Sequence, residues 1–143
     1  MTNEQRNSVS SPLTIVLLAG VAMAMWAAWL GWDQHRDVHP DGSSTGPYEA
    51  WQVIGLGLGL LIPVCWWASR GHVVAAALGT SGGLTLAAAY DWSDDASGLF
   101  VIGVGMVMIG SAAATGLAAF LTSALYRGKA GAGAQREKSQ ARL

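Results

Sequence analysis

AWQVIGLGLGLLIPVCWWAS, Ala50 to Ser69, contains no charged residue. An α-helix needs roughly 20 apolar residues to cross the ~30 Å hydrocarbon core of a bilayer, and this stretch is about that long. A soluble amphipathic helix of that length would carry a polar outer face. This one does not. Outward from it, the same absence of charge holds for Pro12 to Trp32, Val73 to Tyr90 and Gly98 to Tyr126. Only 12% of the 143 residues are charged, against the roughly 25% usual in soluble domains, and all of those charges lie outside the runs.

The segregation predicts an all-α, polytopic membrane protein with four transmembrane helices in an up-down bundle. The helices are expected at about 12–32, 47–69, 72–90 and 94–126, within one transmembrane domain over 12–126. Residues 1–11 form an N-terminal segment and 127–143 a basic tail expected to be disordered. The first run exceeds the 7–15 residues of a signal-peptide core and has only Arg6 as a basic flank, so it reads as a retained helix.

Four spans place both termini on one side. Arg6, Arg70, Arg127, Lys129, Arg136, Lys138 and Arg142 then share that side, and Arg36 alone lies opposite. The positive-inside rule makes the shared side cytoplasmic in the cell membrane. The outer side collects Asp33, Asp37, Asp41, Glu49, Asp91, Asp94 and Asp95.

Helix ends follow from local chemistry. In TGPYEAW, Gly46 is the expected N-cap, Pro47 the first helical residue, and Glu49 faces the positive end of the dipole. Helix 2 should contain a kink at Pro63 and end at Arg70, with Gly71 in the left-handed C′ conformation. Ser93 is the expected N-cap of helix 4, with Asp94 and Asp95 in its first turn. Asp33 and Asp91 are awkward, because a carboxylate at a helix C-terminus opposes the dipole unless it is solvated or paired. Helix 4 is long enough that it must tilt, break or protrude.

Trp29, Trp32, Tyr48, Trp51, Tyr90 and Trp92 fall near the outer boundary, and Trp66, Trp67 and Tyr126 near the inner one, where amphipathic rings favour the headgroup level. Trp26, Trp29 and Trp32 form a stripe that suits packing or anchoring better than a cofactor platform. Gly55–Gly59 and Gly79–Gly83 have the spacing of small faces that let helix backbones approach within a chain or between chains. WLGWD and AAAYD each end a helix with an aromatic residue and Asp, a faint sign of a repeated hairpin. Lone Cys65 excludes an internal disulfide and reads as packing.

The span interiors hold none of the ionisable residues that mark proton relays and coupled transport. There is no Cys-x-x-Cys and no HExxH. His35, Asp37, His39 and Asp41 alternate, so an extended strand would point all four to one side as metal ligands. Pro40 and Asp41-Gly42 signal a turn that breaks the alternation, and the stretch is read as a wet loop without a metal. The hydroxyls of Thr80, Ser81, Thr85, Ser111, Thr115, Thr122 and Ser123 could line a narrow polar path but more commonly bond their own backbone.

Six Arg against two Lys, Ala/Gly-rich spans and the GPYEAWQV entry to helix 2 resemble the small four-span integral membrane proteins of an uncharacterised family of high-GC Gram-positive bacteria. The resemblance covers the spans and implies their fold but no activity. The expected role is non-catalytic: an accessory or scaffold subunit, in contact with the lipid bilayer, that packs with itself or a larger membrane partner. The alternative is an oligomeric passive channel or small-molecule transporter. No cofactor and no nucleic-acid partner are expected.

Overall fold

The structure, a computed structural model, describes residues 3–32, 37–45, 48–94 and 98–142, with backbone alone for 3–11, 37, 44 and 45. The helices are α1 (Asn3–Trp29), α2 (Ala50–Ser69), α3 (Val73–Asp91) and α4 (Phe100–Gln140), and two-residue strands β1 (Asp37–Val38) and β2 (Ser44–Thr45) lie between α1 and α2. All four helices are long and apolar enough to cross a membrane. The fold is the all-α up-down bundle of a polytopic membrane protein.

Neighbour order does not follow chain order. The most extensive contacts are α1 with α3 and α3 with α4; α2 packs on α4 and more lightly on α1 and α3, and among the described residues the α1 and α4 backbones stay apart. Ile15 and Ala19 oppose Gly79 and Gly83 respectively, so α1 and α3 run parallel. A Cβ on Gly83 would lie 2.4 Å from the Ala19 carbonyl oxygen, and one on Gly79 would lie 2.7 Å from that of Ile15. Only glycine permits this approach. Gly55 and Gly59 act differently: they are notches for the Trp29 ring and the Met25 methyl of antiparallel α1.

The core is a set of narrow ridges around one broad face. α1 buries Thr14, Leu18, Ala22, Trp26 and Leu30, and α2 buries Gln52, Leu56, Leu60, Val64 and Ala68. Both are i,i+4 rows, one ridge per helix. α3 is buried over 50% of its span, against 22% for α1 and 28% for α2. It is the central helix, and its small Ala, Gly and Ser residues allow that.

Several helix ends differ from the sequence-based expectation. α2 begins at Ala50 with Glu49 as N-cap, where Gln52 Oε1 accepts the Glu49 N–H at 2.7 Å. An amide three residues past the cap satisfies that donor. Gly46, expected as the N-cap, and Pro47, expected as the first helical residue, lie outside the described residues. At the other end the expectation holds. Gly71 has φ +89, its N–H donates to Ala68 O, and the His72 N–H donates to Trp67 O, which together make a Schellman stop. α2 continues as helix through Pro63.

Ser93 does not cap α4. Its hydroxyl donates to Tyr90 O at 2.8 Å and so closes α3, and α4 starts only at Phe100, after Gly98 with φ +70. The first helix starts nine residues before Pro12, at Asn3. The tail expected to be disordered is helical to Gln140. At 41 residues, α4 is about 60 Å long, twice the ~30 Å core, and it protrudes.

Candidate functional site

Chemistry-bearing side chains gather at the two ends of the bundle. At the end that joins α1 to α2 and α3 to α4, the Tyr48 hydroxyl donates to Asp91 Oδ2 and accepts from Trp92 Nε1 at 3.3 Å. Trp26 packs edge-on against Tyr48 and Trp92, with centroids 5.9 and 6.1 Å away. Trp51 packs on Trp29 and Trp32 and donates its indole N–H to Glu49. Asp91, awkward by position, is thus paired. Nothing in the sequence names Tyr48 as its partner, although a carboxylate at a helix C-terminus signals that one is needed. Asp33 lies outside the described residues.

Of the four candidate metal ligands, only His39 and Asp41 have described side chains. His35 and the Asp37 side chain lie outside the described residues. His39 and Asp41 flank a turn: the His39 N–H donates to Ser43 O at 2.8 Å and the Gly42 N–H to His39 O at 2.9 Å. Gly42 has φ +81, the left-handed position of a Pro-Asp-Gly turn closing a β-hairpin. Asp41 Oδ1 accepts from the Ser43 hydroxyl at 2.6 Å and the Ser43 N–H at 3.0 Å. Those bonds, the hydroxyl's first, hold the Asp41 carboxyl below its ordinary value of 3.8. Their support of the turn is therefore full above that value and fades as pH falls through the lowered one. Among the described residues, no three His, Cys, Asp or Glu side chains form a metal-binding group.

Most of the span hydroxyls turn inward on their own helices. Ser81 donates to Ala77 O, Thr85 to Ser81 O, Ser111 to Val107 O, Thr115 to Ser111 O and Thr122 to Ala118 O. Thr122 Oγ1 also lies 3.3 Å from Cys65 Sγ, across the α2–α4 contact. Thr80 Oγ1 is buried without a hydrogen-bond partner. Beside these groups, α2 and α4 leave an apolar cleft of about 350 Å³, walled by Leu56, Gly57, Leu60, Met106, Gly110 and Ala114 with Trp26 and Leu84 behind.

At the opposite end, a cavity of about 530 Å³ lies at the α2–α3 turn, lined by Arg70, His72, Val73–Ala75 and Arg127. The Arg70 guanidinium sits 4.2 Å above the Trp66 ring, and Arg127 Nη2 donates to Ser123 Oγ at 2.9 Å. His72 is edge-on to Trp67, and its Nδ1 is buried without a partner. The sequence places Arg70 and Arg127 on one side of the bundle, but their convergence on one cavity depends on α4 packing beside the α2–α3 turn. Comparison with protein-family models, curated proteins and solved structures finds no match.

Proposed function

We propose that the chain is a small non-catalytic subunit of the cell membrane, with both termini cytoplasmic. It packs with itself or with a larger membrane partner as an accessory or scaffold element. The observation that carries this reading is how much of α4 the bundle leaves uncovered. Among its described side chains α4 buries only Thr115, Ala119 and Ser123, and a Cβ on Gly105, Gly110 or Gly116 would meet nothing within 4 Å. Lipid supplies no hydrophobic drive between helices, and small faces are where helices approach one another. The cleft between α2 and α4 opens beside Gly110 and adds a recess there. The back-bonded hydroxyls favour this reading over a polar conduction path. The four-span resemblance noted from the sequence fits it as well.

Purification from membranes in mild detergent tests the proposal. A stable self-assembly or a stoichiometric membrane partner is expected. A monodisperse monomer that alone passes small solutes across liposomes would replace the scaffold reading with the channel. The orientation has its own test: a reporter fused after Leu143 should score cytoplasmic, and Ser43→Cys should react with an impermeant thiol reagent added outside. Labelling of that cysteine only from the cytoplasmic side would reverse the topology.

A further inference from the structure

We propose that the cavity at the α2–α3 turn binds the phosphate of an anionic phospholipid headgroup. Two guanidinium groups line it, from Arg70 and Arg127. Arg70 makes only its stack on Trp66, and Arg127 only its bond to Ser123, among the described residues. Stacking occupies one face of a guanidinium and leaves its in-plane N–H donors available. Each arginine is therefore held in place while most of its donors lack an acceptor. No carboxylate neutralises either one among the described residues.

The backbone adds to this charge. His72 caps α3 without a side-chain bond, and the first intrahelical bond is from the Ala76 N–H to His72 O. The N–H groups of Val73, Val74 and Ala75 consequently have no helical acceptor. All three residues line the same cavity. A helix start of this kind favours an anion through its free donors and its dipole, and arginine's planar fork matches phosphate oxygens two at a time. The volume, about 530 Å³, lies within the roughly 300–1,000 Å³ of small-ligand pockets.

Position selects the source of the phosphate. Arg70 directly follows the charge-free run that ends at Ser69, and Arg127 directly follows the one that ends at Tyr126. Both cations thus sit where a span meets water, at the level of lipid headgroups, where basic pockets between helices take anionic lipid. Free phosphate shares the chemistry but not this placement. The proposal stands apart from the accessory-subunit reading and holds whichever way the bundle is inserted.

The experiment uses the full chain in detergent and native mass spectrometry. Short-chain phosphatidylglycerol, phosphatidylcholine and inorganic phosphate are offered separately. Wild type should retain a single phosphatidylglycerol and neither of the other two. Arg70→Gln/Arg127→Gln should weaken retention at least about tenfold, as expected for losing two charge-assisted contacts. A second variant, Val74→Asp, guards against misfolding. Val74 is 69% exposed, and a carboxylate in the first turn of α3 suits the dipole, so the bundle should stay folded while the new anion blocks the site. Arg136→Gln/Lys138→Gln, far along the protruding helix, should bind as wild type does. Equal retention of phosphatidylcholine, unchanged binding in both cavity variants, or loss only in the tail variant would overturn the proposal. Phosphate binding without lipid retention would overturn it too, by making the source a soluble anion.

Discussion

α3 and α4 are both rich in glycine, yet Gly79 and Gly83 of α3 and Gly105, Gly110 and Gly116 of α4 are used in opposite ways. Half of α3's span is buried, whereas α4 buries only Thr115, Ala119 and Ser123 among its described side chains. A Cβ added at Gly83 would strike the Ala19 backbone at 2.4 Å, whereas one at Gly110 would meet nothing within 4 Å. The pair shows that small residues define a face on which a helix can be approached, and the approaching helix decides whether it is occupied. On α3 the occupant is α1, whose Ile15 and Ala19 backbones lie against the glycines. On α4, Gly105, Gly110 and Gly116 meet no neighbour within one chain.

The largest expected effect lies on the occupied face. Gly83→Ala should destabilise the bundle by about 1–3 kcal/mol, and Gly83→Leu by more, because the obstacle is helix backbone that cannot rotate away. Thermal or denaturant unfolding in detergent measures it. If Gly83→Leu unfolds as wild type does, α1 and α3 are not in backbone contact and the contrast with α4 collapses.

An intermediate case lies on α2, whose glycines meet side chains. Gly55→Leu should cost about 1–2 kcal/mol, since the rigid Trp29 ring lies 2.5 Å from the added carbon and must be displaced. Gly59→Leu should cost less, because its obstacle is the flexible end of Met25. Leu58→Ala should be near neutral, its side chain being 61% exposed. The order Gly83, Gly55, Gly59, Leu58 in unfolding midpoints is the expectation. A Gly59 effect equal to that of Gly83 would mean that α1 is as rigid against α2 as against α3.

The four spans were legible because charge is excluded from a bilayer interior whatever the packing. The Schellman stop at Gly71 and the turn at Pro40–Gly42 were legible because each needs a residue of particular backbone freedom. Neighbour order was not. GxxxG spacing at Gly55–Gly59 and at Gly79–Gly83 looks identical in sequence, yet one pair receives side chains and the other backbone. The start of α4 was misplaced because Ser93 is equally suited to begin a helix and to close one. Its hydroxyl bonds back to Tyr90, and the positive φ of Gly98 then delays the next helix. At the candidate sites, the turn that holds His39 and Asp41 was legible from Pro40 and Asp41-Gly42. The Tyr48–Asp91 pair and the Arg70–Arg127 cavity depend on contacts between segments far apart in sequence.

On α4, Gly110→Leu should leave the unfolding midpoint of the single chain within about 0.5 kcal/mol of wild type, since the new side chain enters open space. Under the scaffold reading it should nevertheless weaken self-assembly or partner retention in mild detergent. Destabilisation of the chain itself would mean that α4 packs more tightly on α2 than the cleft between them allows. Unchanged assembly would assign Gly110 to lipid.

The smallest effect is expected where α4 leaves the bundle. Gly131 and Gly133 lie within the helix, and a Cβ on either would meet nothing within 4 Å. Packing therefore has no say, and only the backbone entropy of glycine remains, about 0.5–1 kcal/mol per residue relative to alanine. Gly131→Ala and Gly133→Ala should each raise helix content in far-UV circular dichroism and leave the cooperative unfolding midpoint in place. That is the opposite sign from Gly83→Ala for the same chemical change. A midpoint that rises with the helix signal would show the protruding arm coupled to the bundle. A midpoint that falls would place a neighbour against those glycines, and α4 would then resemble α3.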